Sequence, residues 1–569
     1  MLALKGVFTL ILVLASSHRA YSSCEPEISY PAPVYNSNTL KSTFKVIENS
    51  LNRLIKAGDY DGSSFSLEIS SPNQTLYTKY HYDKSLGGSP INSSSTYRIA
   101  SNTKLFTALG VLKQEAAGKL GLDDEVIKYI PELLNGTSKI TWKGITIRSL
   151  LAHLSGLPDN YGDEDLLLML SDPSAIGLPP LDTEEENKLP KCGAYSGWTV
   201  ACTDADLDEN LHNVNSVFPS QKETSYSNIG FDLLGQVLAK VTNMKYEDYI
   251  KEAIFRPLGM HETSFTVPAT SVAASAGSDS DWGVDEGTDN PSAGIYSSSS
   301  DMIKFLRWVL KNHEKITPSL NWFQPAAWNS GSHSLFGYPW EIFRTTSILP
   351  NTKRPVTFYT KGGGLTDYYT YSFIIPQYDL VVFMGVAGDL SALNTVFTDV
   401  LNPLVIAAEY EAQSQLKNSY GGVYTSTEST LNSSITLTQT QSRSLYISSW
   451  ISNSTDVLAN LIPFVSSTAG TSGDMYFQLL PTFQTRRTHD GQIGEVWRLI
   501  NVIDDSEDPT NSTTVWNDYC VANIDPFSYG SIPLNELVFW RNSSDNRSTV
   551  ESVTLSAFKT EGDEELSHM

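Results

Sequence analysis

Basic residues are scarce in this chain: 39 Lys and Arg stand against 63 Asp and Glu over 569 residues, a formal charge of -24. A field of that sign repels phosphate backbones and anionic lipid headgroups, which argues against a nucleic-acid-binding or membrane-surface protein. Cysteine is sparser still, at 4 residues. With no Cys-x-x-Cys spacing and no His pair beside the cysteines, no metal site and no cofactor are expected. A G-x-S-x-G elbow, an H-E-x-x-H pair and a Walker loop are also absent, so several common hydrolase chemistries lack their signatures. Beyond the N-terminal segment no run reads as long and apolar enough to cross a bilayer, and no tandem repeat occurs.

What is present points to export. The opening "MLALKGVFTLILVLASSHRAYSSC" has a lysine, a short apolar run and then small residues, the layout of a cleaved signal peptide over residues 1–22. Its removal takes away Lys5 and Arg19, leaving a more acidic chain that is secreted and free of the membrane. N-x-[ST] sequons at Asn73, Asn92, Asn135, Asn432, Asn453, Asn511, Asn542 and Asn546 are candidate glycosylation sites. In an oxidising compartment Cys192 and Cys202 would close a small loop, leaving Cys24 for Cys520; three pairings are formally possible.

Length favours two or three domains. From about residue 40 to 410 helical and strand patterns alternate: "STFKVIENSLNRLIKAG" reads as a helix and "SFSLEISSPNQTLYTKYHY" as a hairpin. After "YEAQSQLKNSYGGVYTS" helical periodicity fades into short alternating runs such as "SITLTQT", "SLYISSW", "MYFQLL" and "ELVFW". The expected organisation is an α/β (α+β) domain over 23–414 and an all-β barrel or sandwich over 415–569. An Asp/Glu/Gly-rich insertion at 158–221 holds the near cysteine pair and is placed to roof a cleft.

Three short elements carry chemistry. In "YRIASNTKLF", Ser101 stands three residues before Lys104, so the two share one face, and Leu105, Leu109, Leu112 and Ala116 follow at helical spacing. An adjacent amine can position or accept the proton of an otherwise weak serine nucleophile. Farther on, Tyr226, Ser227 and Asn228 precede an amphipathic helix carrying Leu233, Leu234, Val237 and Leu238. Finally "VTFYTKGGGLTDYYTYSFII" runs from a strand into Lys361, Gly362, Gly363 and Gly364. Each has a bland alternative: Tyr226 as a buried tyrosine, Asn228 as a helix cap, Lys361 as a solvated strand end. His153 in "LLAHLSGLP" reads as packing, and Tyr368, Tyr369 and Tyr371 fit either a substrate wall or strand alternation.

In their order S-x-x-K, Y-x-N, K-x-G, these elements resemble the serine β-lactamase and penicillin-binding-protein superfamily, most closely its class C, esterase and D-aminopeptidase branch. "KLGLDDEVIKYIPEL", "ITIRSLLAHLSGLP", "YEDYIKEAIFRPLGMHETSF" and "GIYSSSSDMIKFLRWVL" extend the likeness over about residues 40 to 405. The layout is also similar to secreted fungal β-lactamase-like proteins with an added C-terminal β domain. The resemblance implies an antiparallel sheet flanked by helices, with Ser101 as nucleophile forming an acyl-enzyme. It implies Tyr226 with Lys104 as the base, Asn228, Lys361 and Gly363 as substrate-side groups, and an oxyanion hole from the N–H groups of Ser101 and Gly364. Physics sets a condition on the base: an ordinary phenol has a pKa of ~10, so only about a thousandth ionises at neutral pH unless cations flank it.

One departure bears on substrate. Many relatives carry Thr or Ser as the second residue of the third motif, where the hydroxyl helps bind a substrate carboxylate; here it is Gly362. Losing a hydrogen bond to a charged acceptor costs about 1.5 to 3 kcal/mol. The expected substrate is therefore a small-molecule or peptide-like ester, lactone or amide without that charge. Transfer of the acyl group to an alcohol or amine is an alternative, and a catalytically silent binding or scaffold protein on this fold is another. Neither the natural substrate nor the oligomeric state is legible.

Overall fold

The computed structural model describes residues 26–568 except 28, 37, 136–137, 163–164, 194–199, 278–280, 353, 429, 470–473, 489–491, 505–523, 525–526, 542–549 and 559–564. The chain divides into two compact units. One comprises Lys41–Thr345 and Thr357–Leu404. The other gathers residues up to Leu40, Thr346–Val356 and the chain from Val405 onward.

In chain order the strands of the first unit are β1 (Ser63–Ser70), β2 (Thr75–His81), β3 (Thr96–Arg98), β4 (Tyr296–Ser298), β5 (Ala327–Trp328), β6 (Ser334–Phe336), β7 (Glu341–Thr345), β8 (Val356–Leu365), β9 (Tyr368–Ile375) and β10 (Leu380–Gly388). Eight form one sheet in the order β2-β1-β10-β9-β8-β7-β6-β5, and β3 pairs with β4 apart from it. The hairpin read from the sequence is the antiparallel β1–β2 pair. Every residue of β1 is buried, whereas β2 at the edge is partly solvated, as expected for an edge strand beside a covered one.

Helices cover the sheet. Lys41–Ala57 buries Ile47 and Leu51, and Ser299–Asn312 buries Met302, Ile303, Phe305, Leu306 and Val309. The helix that follows Ser101, Thr103–Ala116, is more deeply placed than its periodicity suggests. Residues Thr103 to Leu112 are all buried, and Ala116, read as core, is exposed. Phe106 stacks on Phe305 at 4.2 Å and meets Phe255 edge-on at 5.5 Å. Thr107 is tolerated inside because its hydroxyl reaches the Pro291 carbonyl at 2.6 Å.

The 158–221 insertion forms short helices and adds Tyr161, Leu207 and Leu211 to the core. Cys192 and Cys202 are disulfide-bonded, with Cα atoms 4.9 Å apart. Cys24 and Cys520 lie outside the described residues, as do Asn511, Asn542 and Asn546. The other five sequon asparagines, Asn73, Asn92, Asn135, Asn432 and Asn453, are exposed.

In the second unit the pairing of Ser434–Thr438 with Tyr446–Ser452 closes the sheet into a ring of eight strands, a barrel in preference to a sandwich. Its core includes Tyr424, Trp450, Trp497 and Phe539. The expectation of an all-β module needs one correction: Val457–Ala469 is a helix. Pro463 inside it breaks the apolar run VLANLIPFV, which hides the helical pattern in the sequence. Tyr30 joins this unit because Arg354 donates to its hydroxyl at 2.6 Å and pairs with buried Glu409. Contrary to the expectation that no later run is apolar enough, the helical run Ser391–Tyr420 meets the length and hydropathy of a membrane span; 44 % of its most apolar 18-residue window is buried in the fold, as in a core helix.

The strand leading into Ser101 is anchored by a buried ion pair between Arg98 and Glu286, with Arg98 also donating to the Asp281 carbonyl at 2.5 Å. Replacing Arg98 by Met strands a buried carboxylate, and chemical denaturation is expected to show a loss of about 3–5 kcal/mol. The double variant with Glu286→Leu should recover most of it.

Candidate active site

Ser101 sits in a short 3₁₀ turn, Ala100–Asn102, between β3 and the buried helix. The turn is forced: Ala100 has φ 47°, a left-handed conformation that costs an L-residue about 1–2 kcal/mol. Thr370 on β9 holds it, donating to the Ile99 carbonyl at 2.9 Å and accepting from Asn102 Nδ2 at 2.9 Å. Gly363 lies opposite Thr370 across the β8–β9 ladder. A Cβ at Gly363 would fall 2.3 Å from the Ile99 carbonyl oxygen and 3.2 Å from the Asn102 nitrogen, so only glycine lets the strand lie against the serine turn. Gly364, the expected oxyanion donor, is the next residue.

Lys104, fully buried one turn later, aims its ammonium back at the nucleophile. Its Nζ lies 3.1 Å from Ser101 Oγ, 2.5 Å from Asn228 Oδ1 and 3.1 Å from the Ser292 carbonyl. Three protons thus meet three acceptors, and no carboxylate is among them. Asn228 is oriented from behind, since its Nδ2 donates to Asp159 Oδ1 at 3.0 Å and Asn160 Oδ1 at 2.9 Å. Those partners come from the start of the insertion.

Tyr226 is flanked by both lysines: Lys104 Nζ is 5.0 Å and Lys361 Nζ 5.1 Å from its ring centre. Ser101 and Lys361 are the polar side chains nearest its hydroxyl. Burial alone would raise the phenol's pKa, but Lys104 and then Lys361 outweigh it and hold Tyr226 below the ordinary tyrosine value, against an opposing push from Glu341. His153 stacks on the same ring at 4.5 Å and accepts from the Ser227 N–H at 3.2 Å. Burial first, then Lys104 and Lys361, push the imidazole well below its usual pKa, so it is a neutral packing group.

Lys361, 1 % exposed, donates to Glu341 Oε1 at 2.5 Å. Burial would lower its pKa, but Glu341 and Tyr226 carry it above the ordinary lysine range and keep it cationic. Asp232, buried in the Ile229–Thr242 helix, has its pKa pushed well above the usual carboxylate range chiefly by burial and next by Asp289. Tyr368 is buried and donates to the Ala274 carbonyl at 3.1 Å, which makes it structural. Tyr369 and Tyr371 stand opposite Gly364 and Gly362. Among the described residues no group of three or more His, Cys, Asp or Glu is placed to hold a metal.

The expected residues Ser101, Lys104, Tyr226, Asn228, Lys361 and Gly363 are thus brought together from three distant segments. Sequence reasoning missed Glu341, Thr370, Ser292, Asp159 and Asn160. Only the pairing of remote strands and the docking of the insertion bring these to the site, and no local motif announces them.

Comparison with known proteins agrees with this geometry. The family model described as Beta-lactamase matches residues 51–394, and a model described as Beta-lactamase-like-like, C-terminal domain matches residues 412–565. "Probable hydrolase M10" of Phoma sp. is 34 % identical over 94 % of this chain and 90 % of its own length. "Probable hydrolase clz13" of Cochliobolus lunatus is 32 % identical over 98 % of this chain and 94 % of its own length. A solved beta-lactamase/D-alanine carboxypeptidase from Yersinia pestis, complexed with citrate, aligns over 64 % of this chain and 98 % of its own, at 21 % identity and a TM-score of 0.49. On the matched family model and the two full-length relatives, the chain belongs to the beta-lactamase family of serine hydrolases, with a beta-lactamase-like C-terminal domain.

Proposed function

We propose that the protein is a secreted serine hydrolase that forms an acyl-enzyme at Ser101 from an uncharged ester, lactone or amide. The observation that carries this reading is the hydrogen bond from Lys104 to Ser101 at 3.1 Å beside Tyr226, a phenol flanked by two ammonium groups that depress its pKa. Lys104 spends its three protons as hydrogen-bond donors, which leaves the phenolate of Tyr226 as the acceptor for the serine proton.

In acylation the Ser101 O–H proton passes to Tyr226 while Oγ bonds to the substrate carbonyl carbon and the carbonyl oxygen becomes an oxyanion. Collapse breaks the bond to the leaving alcohol or amine, which takes the proton from Tyr226. Water, deprotonated by Tyr226, then attacks the acyl carbon; collapse breaks the bond to Ser101 Oγ, which takes that proton back from Tyr226, and the acid is released. The backbone N–H groups of Ser101 and Gly364 are the oxyanion donors in this reading, as the family resemblance suggests; one such donor is worth about 2.7–4 kcal/mol. An alcohol or amine in place of water makes the same site an acyltransferase. The leader and the exposed sequons at Asn73, Asn92, Asn135, Asn432 and Asn453 support export and glycosylation.

The decisive assay is labelling by a fluorophosphonate probe with hydrolysis of p-nitrophenyl esters. Both are expected in the wild type and lost in Ser101→Ala; a folded wild type that does neither would favour the scaffold alternative. Tyr226→Phe should lower kcat by about 10²- to 10⁴-fold. The rate should rise with pH through the Tyr226 ionisation, below the ~10 of a free phenol. In Lys361→Met that limb should move to higher pH, because one of the two cations that favour the phenolate is gone. Gly363→Ala forces the serine turn away from β8 and should cost about 10²- to 10³-fold in kcat, the scale of one misplaced oxyanion donor.

A further inference from the structure

Two donors next to the nucleophile already hold a carboxylate. Glu341, at the start of β7, places Oε1 2.5 Å from Lys361 Nζ and accepts from the Gly362 N–H through Oε2 at 2.9 Å. An ammonium and a strand N–H engaging the two oxygens of one carboxylate form a charge-assisted, two-point clasp. Glu341 is 29 % exposed, so the clasp opens toward solvent. Lys361 itself is buried and also donates to the Gly362 carbonyl at 2.9 Å, so it cannot turn outward to meet another anion.

Gly362, which supplies the N–H, accommodates this occupant. A Cβ there would stand at an ordinary contact distance of 3.6 Å from Glu341 Oε2 and press on the Tyr371 ring, 3.2 Å from Cε2, which would have to shift to admit it.

We propose that Glu341 is a built-in occupant of a carboxylate-binding subsite at Lys361 and Gly362, and that it restricts the enzyme to acyl substrates carrying no negative charge there. A substrate carboxylate arriving at the clasp meets a neutralised ammonium, an occupied N–H and a like charge. An uncharged substrate displaces nothing. This rests on the hydrolase reading above and supplies its charge selectivity; Glu341 acts as a specificity-determining residue through Lys361.

The test uses the full chain with Glu341→Gln and Glu341→Ala, each checked for an unchanged unfolding midpoint. Calorimetric titration with phenylacetate reads the subsite without any turnover. Glu341→Ala is expected to bind it at least about tenfold more tightly than wild type, and Lys361→Met in that background should abolish the gain. In parallel, the ratio of kcat/KM for p-nitrophenyl hemiglutarate to that for p-nitrophenyl butyrate should rise at least about tenfold in both single variants. A structural role alone would lower both esters together and leave that ratio fixed. Equal phenylacetate affinity in wild type and Glu341→Ala overturns the proposal. Absence of ester turnover in the wild type, with the phenylacetate gain intact, would instead count against the hydrolase reading and uphold the occupied subsite.

Discussion

Two ammonium groups are buried within reach of one phenol, and the rest of the site is arranged around them. Lys104 gives its three hydrogen bonds to Ser101, Asn228 and the Ser292 carbonyl, all neutral oxygens. Lys361 is partnered differently: burial disfavours its cation, and the carboxylate of Glu341 more than offsets that cost. The difference has a chemical consequence. None of the three oxygens that accept from Lys104 is an anion, so no direct ion pair offsets its charge beside Ser101 and Tyr226. Lys361's charge is partly spent on Glu341.

The backbone makes the juxtaposition possible. Ser101 reaches Lys104 and Tyr226 because the chain leaves β3 through a left-handed Ala100 and is clasped to β9 by Thr370. Strain of that kind persists only where surrounding contacts determine it. Here they are the Arg98 ion pair before the turn, the Thr370 bonds at it and the bare Cα of Gly363 beneath it. Packing on the far side of the phenol comes from His153, which supplies a flat neutral surface in place of a second base.

Much of this was legible in the sequence, and the parts that were not share a cause. Ser101 and Lys104, Tyr226 and Asn228, and Lys361 and Gly363 are each close in the chain, so their pairing is a local property of a helix start or strand. Glu341 lies 20 residues before Lys361 on a neighbouring strand, and Ser292 lies 188 residues from Lys104. Such contacts follow from strand order and loop docking, which spacing does not encode. Depth was misread for the same reason. The helix after Ser101 reads as one-faced because Thr103, Lys104 and Thr107 are polar, yet all three are buried, and the bonds of Lys104 and Thr107 run to segments remote in sequence. In the C-terminal unit Pro463 hid a helix that its tertiary setting tolerates.

The charge of the site then bears on its chemistry. Lys104, Lys361 and Glu341 leave one positive charge when Tyr226 is a phenol and none when it is a phenolate. Ionising the base therefore neutralises the pocket instead of charging it. In the proposed mechanism, attack by Ser101 moves that negative charge from the phenolate to the substrate oxygen without creating a new one, so preorganised donors have only to receive a charge already present. A base held too firmly by its cations would resist giving up that charge, and general-base efficiency is greatest when the pKa lies near the working pH. Glu341 opposes the two lysines in this respect, pushing the phenol's pKa back up. On the proposed reading, the carboxylate of Glu341 thus also tempers the base, tying the preference for an uncharged substrate to the proton transfer that cleaves it.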